Sequence, residues 1–342
     1  MSALLSRRVA HVTMLRRVGI TGILLSAVSF LTIGGIAVAV GQSSIKKELG
    51  KATNQHLATV SINYAPIAGQ APVVIAQTKG YFRAKGLVVQ NVDAPSATIG
   101  MDNLIGGKQQ FALGNIGSVA VAMSQGFPLK VIAPLYYSAT TDGIYVSSAS
   151  HIKSISELAG KTVALGTLGN DFEAVVDQDL VNAGVSPSHV KYSLIPLPDG
   201  AQTLAAGKAT AAQVIEPGIT AAGSAIRPLI RNVWRAALGS SDALVGVLMT
   251  TKTYARTHPQ IVKEFLAAYD QGLHTAGTNA GILRQTVASL TKLPRKLVDR
   301  LRLPIFKTSY TVKSASKQLI LMKKFGLLNK NFNISGLTSA LR

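Results

Sequence analysis

Short β-branched runs alternating with segments of helical period predict an α/β fold, and three stretches carry that reading. Ala58 to Tyr64 is a β-rich run, followed by a turn at Ala65 to Gly69, an apolar helix over Ala71 to Thr78 and a second strand over Leu87 to Val92. Strand, helix and strand in about thirty residues form a βαβ unit, which implies parallel pairing. A helix over Ile99 to Ile105 and a strand at Phe111 to Leu113 repeat the order. The third stretch, Ala159 to Phe172, gives a strand over Lys161 to Leu165, a small-residue turn over Gly166 to Asn170 and a helix from Asp171 onward. A helix start behind such a turn gathers unpaired backbone N–H groups at the positive end of the helix dipole, so it is expected to attract an anion. Thr167, Asn170 or Asp171 would equally serve there as a simple cap.

Further along, Gly114 to Ser118 forms a similar turn at a helix start, and Leu129 to Tyr137 reads as a strand. Strands are expected at Val190 to Ile195 and Ala211 to Ile215, with a helix at Ala201 to Ala206. Amphipathic helices follow over Pro259 to Gly272, Ala280 to Leu290 and Val312 to Phe325.

Composition narrows the function. The 342 residues, 47% of them hydrophobic, suffice for two domains with real cores. The absence of Cys removes disulfides, thiolate metal sites and Cys nucleophiles. Net charge is +20, from 35 basic and 15 acidic residues, so the imbalance owes as much to missing acids as to added bases. The basic residues are scattered in pairs such as Lys46-Lys47 and Lys323-Lys324, which argues against a nucleic-acid track. An acidic exterior, or loose association with an anionic surface, accounts for such a balance.

Arg7, Arg8, Arg16 and Arg17 precede an apolar run from Val18 to Val40, 23 residues long. That is the pattern of an export segment with its positive end held inside. Ala37-Val38-Ala39 offers a cleavage site, while the length is also enough to span a bilayer, so cleavage and retention as an anchor both fit. Cleavage after Ala39 would remove four Arg from the +20 and leave +16.

Four strings then point to a family. Lys79-Gly-Tyr-Phe-Arg-Ala-Lys-Gly-Leu87, Phe111-Ala-Leu-Gly-Asn115 with Gln125-Gly-Phe-Pro-Leu-Lys130, Ile155-Ser-Glu-Leu-Ala-Gly-Lys-Thr-Val163 and Leu204 to Pro217 stand in order along the chain. Together they resemble the nitrate, sulfonate, taurine and thiamine-precursor group of ABC-transporter substrate-binding proteins, over about Val60 to Lys324. Thr210 stands where that group usually carries Asp. The resemblance implies a two-lobe periplasmic-binding-protein-like fold of type 2, with a ligand cleft between the lobes and two crossover segments. It implies a first lobe over 58–142 and 251–342, crossovers and second lobe over 143–250, a linker over 40–57 and the export segment or anchor over 1–39. The crossings are expected at Gly143 to Ser147 and Ala243 to Thr250.

Small ligands of such sheets sit beyond the carboxyl ends of strands. The turns Tyr64 to Gln70, Gly114 to Ser118, Tyr137 to Asp142 and Gly166 to Asp171 meet that description. Their candidate ligand residues are Tyr64, Gln70, Asn115, Ser118, Thr140, Thr141, Thr167 and Asn170, joined by Glu216 at the end of a strand. Tyr64 could equally be a packed aromatic, Asn115 a residue that steadies its own turn, and Glu216 a capping acid. No Arg lies in the four turns, so a divalent anion is disfavoured, and a zwitterion or nitrogen heterocycle suits Glu216.

The six His show no metal-ligand spacing, and no nucleophile or phosphate-loop motif appears. The expected function is therefore the extracytoplasmic solute-binding component of an ABC importer for a small nitrogen- or sulfur-containing compound, without catalysis or cofactor. The partners expected are the small ligand and the permease, and the location periplasmic. The alternatives are a membrane-tethered sensor domain and a pyrimidine-synthase-like enzyme on the same lobes.

Overall fold

Alternation in β1 (Ala58–Tyr64) turns Val60 and Ile62 into the core, and the strand pairs in parallel with β2 (Leu87–Asp93) from Ala58 opposite Leu87 to Tyr64 opposite Asp93. The crossover is α1 (Ala71–Thr78), whose Pro72 sits in the first turn, where no intrahelical N–H is needed. Between them, Gly80 and Gly86 take φ of 74° and 73° and bracket a single helical turn at Tyr81–Ala84. Phe82 of that turn is buried and lies 4.8 Å from the ring of Phe265. The first family string is thus a packing device: two turn residues and an aromatic anchor.

The computed structural model describes residues 57–94, 96–137, 141–240, 243–309 and 312–338. The Val18 to Val40 segment and all but the last residue of the 40–57 linker lie outside the described residues. Among those described, no helix is long and apolar enough to cross a membrane.

After β2 come α2 (Ala97–Ile105), capped by Ser96, then β3 (Ala112–Asn115), α3 (Ile116–Ser124) and β4 (Leu129–Tyr137). The chain crosses into a second lobe at β5 (Asp142–Ser147). There it forms β6 (Thr162–Leu165), α4 (Asp171–Asn182), β7 (Lys191–Leu194), α5 (Gly200–Ala205) and β8 (Ala211–Ile215). A short α6 (Gly218–Ala222), β9 (Ile226–Ile230) and α7 (Val233–Leu238) complete the lobe. β10 (Leu244–Thr251) then returns to the first lobe, followed by α8 (Lys252–Thr257), α9 (Pro259–Thr278), α10 (Ala280–Thr291), α11 (Val312–Lys324) and α12 (Ile334–Thr338).

The second lobe's sheet runs β7-β6-β8-β5-β9, and the first lobe contains the sheet β3-β10-β4 beside the β1-β2 pair. β6 pairs in parallel with β7 and β8, as the βαβ order requires. β5 and β10 instead run antiparallel to their neighbours, so the second lobe's sheet is mixed and the β3-β10-β4 sheet antiparallel. These are the two strands through which the chain enters and leaves the second lobe, so neither is laid down by a crossover helix. The stretches read as crossings, Gly143 to Ser147 and Ala243 to Thr250, are therefore strands within the sheets.

α9 and α10 pack on α1 around a stack of Phe111 on Phe265, with centroids 3.8 Å apart. α11 does more than cover the first lobe. Its Leu319 and Met322 join the core of Ile116, Val119 and Val247, while Leu321 also packs against the second lobe's core around Phe172 and Trp234.

Candidate functional site

The two lobes meet where α3 and α4 begin. Asn115, at the end of β3, accepts the Ser118 N–H on Oδ1 at 3.0 Å and caps α3. Asn170 Oδ1 accepts from the N–H groups of Phe172 (3.1 Å) and Glu173 (3.3 Å) and caps α4. A Cβ on Gly117, in the first turn of α3, would fall 2.5 Å from Asp171 Oδ1 and 2.7 Å from its backbone nitrogen. Only glycine lets the helix starts come this close.

In the Gly166 to Asp171 turn, two of the N–H groups expected to hold an anion are taken by the protein's own acceptors. Gly166 N–H donates to Gln213 Oε1 at 2.9 Å and Gly169 N–H to Glu173 Oε2 at 2.6 Å, and past the turn the Phe172 and Glu173 N–H groups donate to Asn170 Oδ1. The protein's own acceptors complement the α4 dipole, and the Asp171 carboxyl stands at the same point, so a second negative charge there is repelled.

Asp171 is fully buried. Its Oδ2 accepts from Gln318 Nε2 of α11 at 3.2 Å, and its Oδ1 has no hydrogen-bond partner among the described residues. Burial pushes its carboxyl up to about 7; the Asn115 side chain draws it down and Asp142 raises it further. Asp142, at the start of β5, accepts from Trp234 Nε1 on Oδ2 at 3.4 Å and likewise leaves Oδ1 without a partner. Burial takes this carboxyl to about 7 as well, against the pull of the Trp234 donor. Tyr136, near the end of β4, lies against two glycines: a Cβ on Gly246 would meet its Cε1 at 2.4 Å, and one on Gly69 at 3.2 Å. Burial and then the charges of Asp142 and Asp171 push its hydroxyl far up. Tyr136, Asp142, Asp171 and Trp234 therefore make one polar group between the lobes: two acid groups, each with an oxygen to offer, beside aromatic rings. Such a group accepts N–H donors and repels anions.

A second cluster lies on the other face of β5, three residues along at Tyr145. Tyr145 is 2% exposed, with its hydroxyl beside the Arg302 guanidinium. Neither that hydroxyl nor Arg302 Nη1 has a hydrogen-bond partner among the described residues. The Glu216 carboxylate accepts from Thr220 N–H at 3.0 Å, Thr220 Oγ1 at 2.9 Å and Arg302 N–H at 3.3 Å. It thus holds the start of α6 and a segment of the first lobe together. Glu216→Ala is expected to destabilise the fold by roughly 1–3 kcal/mol, read from urea denaturation, because three donors lose their acceptor.

The remaining candidates are placed as follows. Tyr64 is half-buried and packs on the first lobe's core. Gln70 is 3% exposed and donates from Nε2 to the Asn63 carbonyl at 3.3 Å, steadying β1. Thr141 accepts the Glu216 N–H on its carbonyl at 2.9 Å, and Thr167 is half-buried. Thr140 lies outside the described residues. The fold gathers Asn115, Ser118 and Asn170 around Asp171 and sends Glu216 to the Tyr145 and Arg302 cluster. Asp142 and Asp171 lay inside the expected turns but were read as an end residue and a cap. The signal for them was scarcity, since a chain with 15 acids that spends two on turn ends gives them a role. Nothing in the sequence tied Tyr136, Arg302 or Gln318 to the cleft.

The fold has close counterparts among solved structures. It matches the alkanesulfonate-binding protein SsuA from Xanthomonas axonopodis pv. citri with a TM-score of 0.68 at 17% identity, covering 83% of this chain and 98% of that one. It matches the periplasmic nitrate-binding protein NrtA from Synechocystis PCC 6803 with a TM-score of 0.66 at 15% identity, covering 83% and 86%. The fold is that of the periplasmic binding proteins. In sequence, a 4-amino-5-hydroxymethyl-2-methylpyrimidine phosphate synthase of Saccharomyces cerevisiae is 28% identical over 130 residues, 38% of this chain and 37% of the relative. The matched stretch thus spans little more than a third of that enzyme. The family model described as NMT1/THI5 like covers residues 68–279, most of both lobes, and the chain belongs to that family.

Proposed function

We propose that this chain is the extracytoplasmic solute-binding component of an ABC importer and that its ligand is a small compound presenting a protonated amine or ring N–H groups. The observation that carries the ligand class is the pair Asp142, half-buried, and Asp171, fully buried, each with a buried carboxyl oxygen lacking a hydrogen-bond partner among the described residues where the two lobes meet. A ligand donor placed between them satisfies both acceptors at once. Tyr136 adds an aromatic ring beside the pair, suited to a flat nitrogen heterocycle. A thermal-shift screen at pH 7 should show stabilisation by aminopyrimidines or small amines and little by nitrate or simple alkanesulfonates. Stabilisation by the anions alone would reverse the ligand class, and no response to any would sink the importer reading.

The partial match to the yeast synthase supports a second reading, a pyrimidine-forming enzyme. Release of a phosphorylated pyrimidine by the purified chain would decide for it. Amino-terminal sequencing of the exported protein separates a free carrier starting at Val40 from a tethered sensor that keeps its first residues.

A further inference from the structure

A separate cavity of about 750 Å3 lies at the far end of the first lobe's sheet from the cleft. It opens beside Leu129, the first residue of β4, whereas Tyr137 at the cleft end is the last of the strand's nine residues. At about 3.3 Å per residue the two ends are roughly 25 Å apart. Register places the charges there: Thr251, the last residue of β10, pairs with Leu129, so Lys252 and, one helical turn on, Arg256 come up beside Lys130. No Asp or Glu lines the cavity. The side chains of these three cations make no ion pair or hydrogen bond among the described residues. Half-buried Met123, Ala255 and Phe332 supply the accessible apolar lining beside them, over the buried Leu129, Val131 and Leu337.

Three uncompensated cations at one opening repel one another, and an anion seated among them relieves that repulsion. A guanidinium fork with two ammonium groups suits phosphate oxygens. The volume lies in the range of small-molecule sites and far exceeds a bare phosphate, and part of the accessible lining is apolar. We propose that this cavity binds a phosphate-bearing organic molecule, its phosphate held by Lys130, Lys252 and Arg256 and its body laid on Met123, Ala255 and Phe332. A soluble organic phosphate and a phospholipid headgroup with its chains offer the same chemistry.

Calorimetric titration of the full-length chain at low salt, with adenosine diphosphate as the soluble probe, tests the site against the triple variant Lys130→Gln, Lys252→Gln, Arg256→Gln. All three side chains are exposed, so the variant should fold as the parent does. The parent is expected to bind at least about tenfold more tightly than the variant, and to bind adenosine diphosphate better than pyrophosphate, which lacks a body. Co-sedimentation with phosphatidylglycerol vesicles is the second arm; the amino-terminal apolar segment is common to both chains and cancels. Greater capture of the parent assigns the site to lipid headgroups, while equal capture with a calorimetric difference assigns it to soluble phosphates. Parent and variant behaving alike in both arms overturns the proposal.

Discussion

Asp171→Asn is expected to bind the cleft ligand ten- to a hundredfold more weakly while melting at a higher temperature than the parent at pH 8. The side chain keeps its shape, so Gln318 still finds an oxygen at its 3.2 Å partner position, but the charge is gone. Loss of a charged hydrogen bond to an N–H donor is worth roughly 1.5–3 kcal/mol, which sets the affinity range. Stability moves the other way. In the parent at pH 8 a fully buried carboxyl is forced to ionise beside Asp142, and the amide is spared that cost. A cationic ligand also requires the acid pair to be charged, so parent affinity should rise between pH 6 and pH 8, by no more than about tenfold per pH unit for one proton released. Isothermal titration and differential scanning calorimetry on one preparation read all of this. An Asp171→Asn variant that binds as tightly as the parent would remove Asp171 from the site.

The folded chain should also be more stable in mild acid than at alkaline pH. Burial raises five carboxyls: Asp142 and Asp171 to about 7, Asp177 to about 6, Asp179 to about 8, and Asp270 in the same direction. Asp177 keeps a 2.6 Å donor in the Tyr192 hydroxyl, whereas Asp179 Oδ2 has no partner among the described residues. Because each folded value lies above the unfolded one near 3.9, the folded state holds the extra protons. Their contribution is complete below about pH 4 and is lost as pH rises through the window from 6 to 8. The Tm at pH 8.5 should lie roughly 10 °C below that at pH 5, in enough salt to screen the surface cations. Asp179→Asn should flatten the curve. A Tm that rises over the same interval would show that surface repulsion, not buried acid, governs stability. The direction agrees with a chain that carries 15 acids against 35 bases and places several of its acids inside.

Local chemistry made most of the fold legible before any coordinates. Ala58 to Tyr64, Ala71 to Thr78 and Leu129 to Tyr137 are strand, helix and strand at the residues where alternation and helical period put them. These patterns are set by each segment's need to bury one face, which a segment carries in its own order of residues. The Asn115 and Asn170 caps belong to the same class, since an Asx side chain closes on an N–H two or three residues ahead.

Tertiary structure alone decided what the cleft contains. Whether the Gly166 amide was free for an anion depended on Gln213, which comes from a neighbouring strand 47 residues away. Whether Asp171 was a solvated cap or a buried acid depended on Gly117 and on Gln318, 147 residues distant, closing over it. Glu216 read as a ligand acid until the Arg302 segment, 86 residues on, arrived to engage it. A carboxylate's role follows from its solvation and its partners, and both are properties of the packed lobes, not of the residues on either side of it.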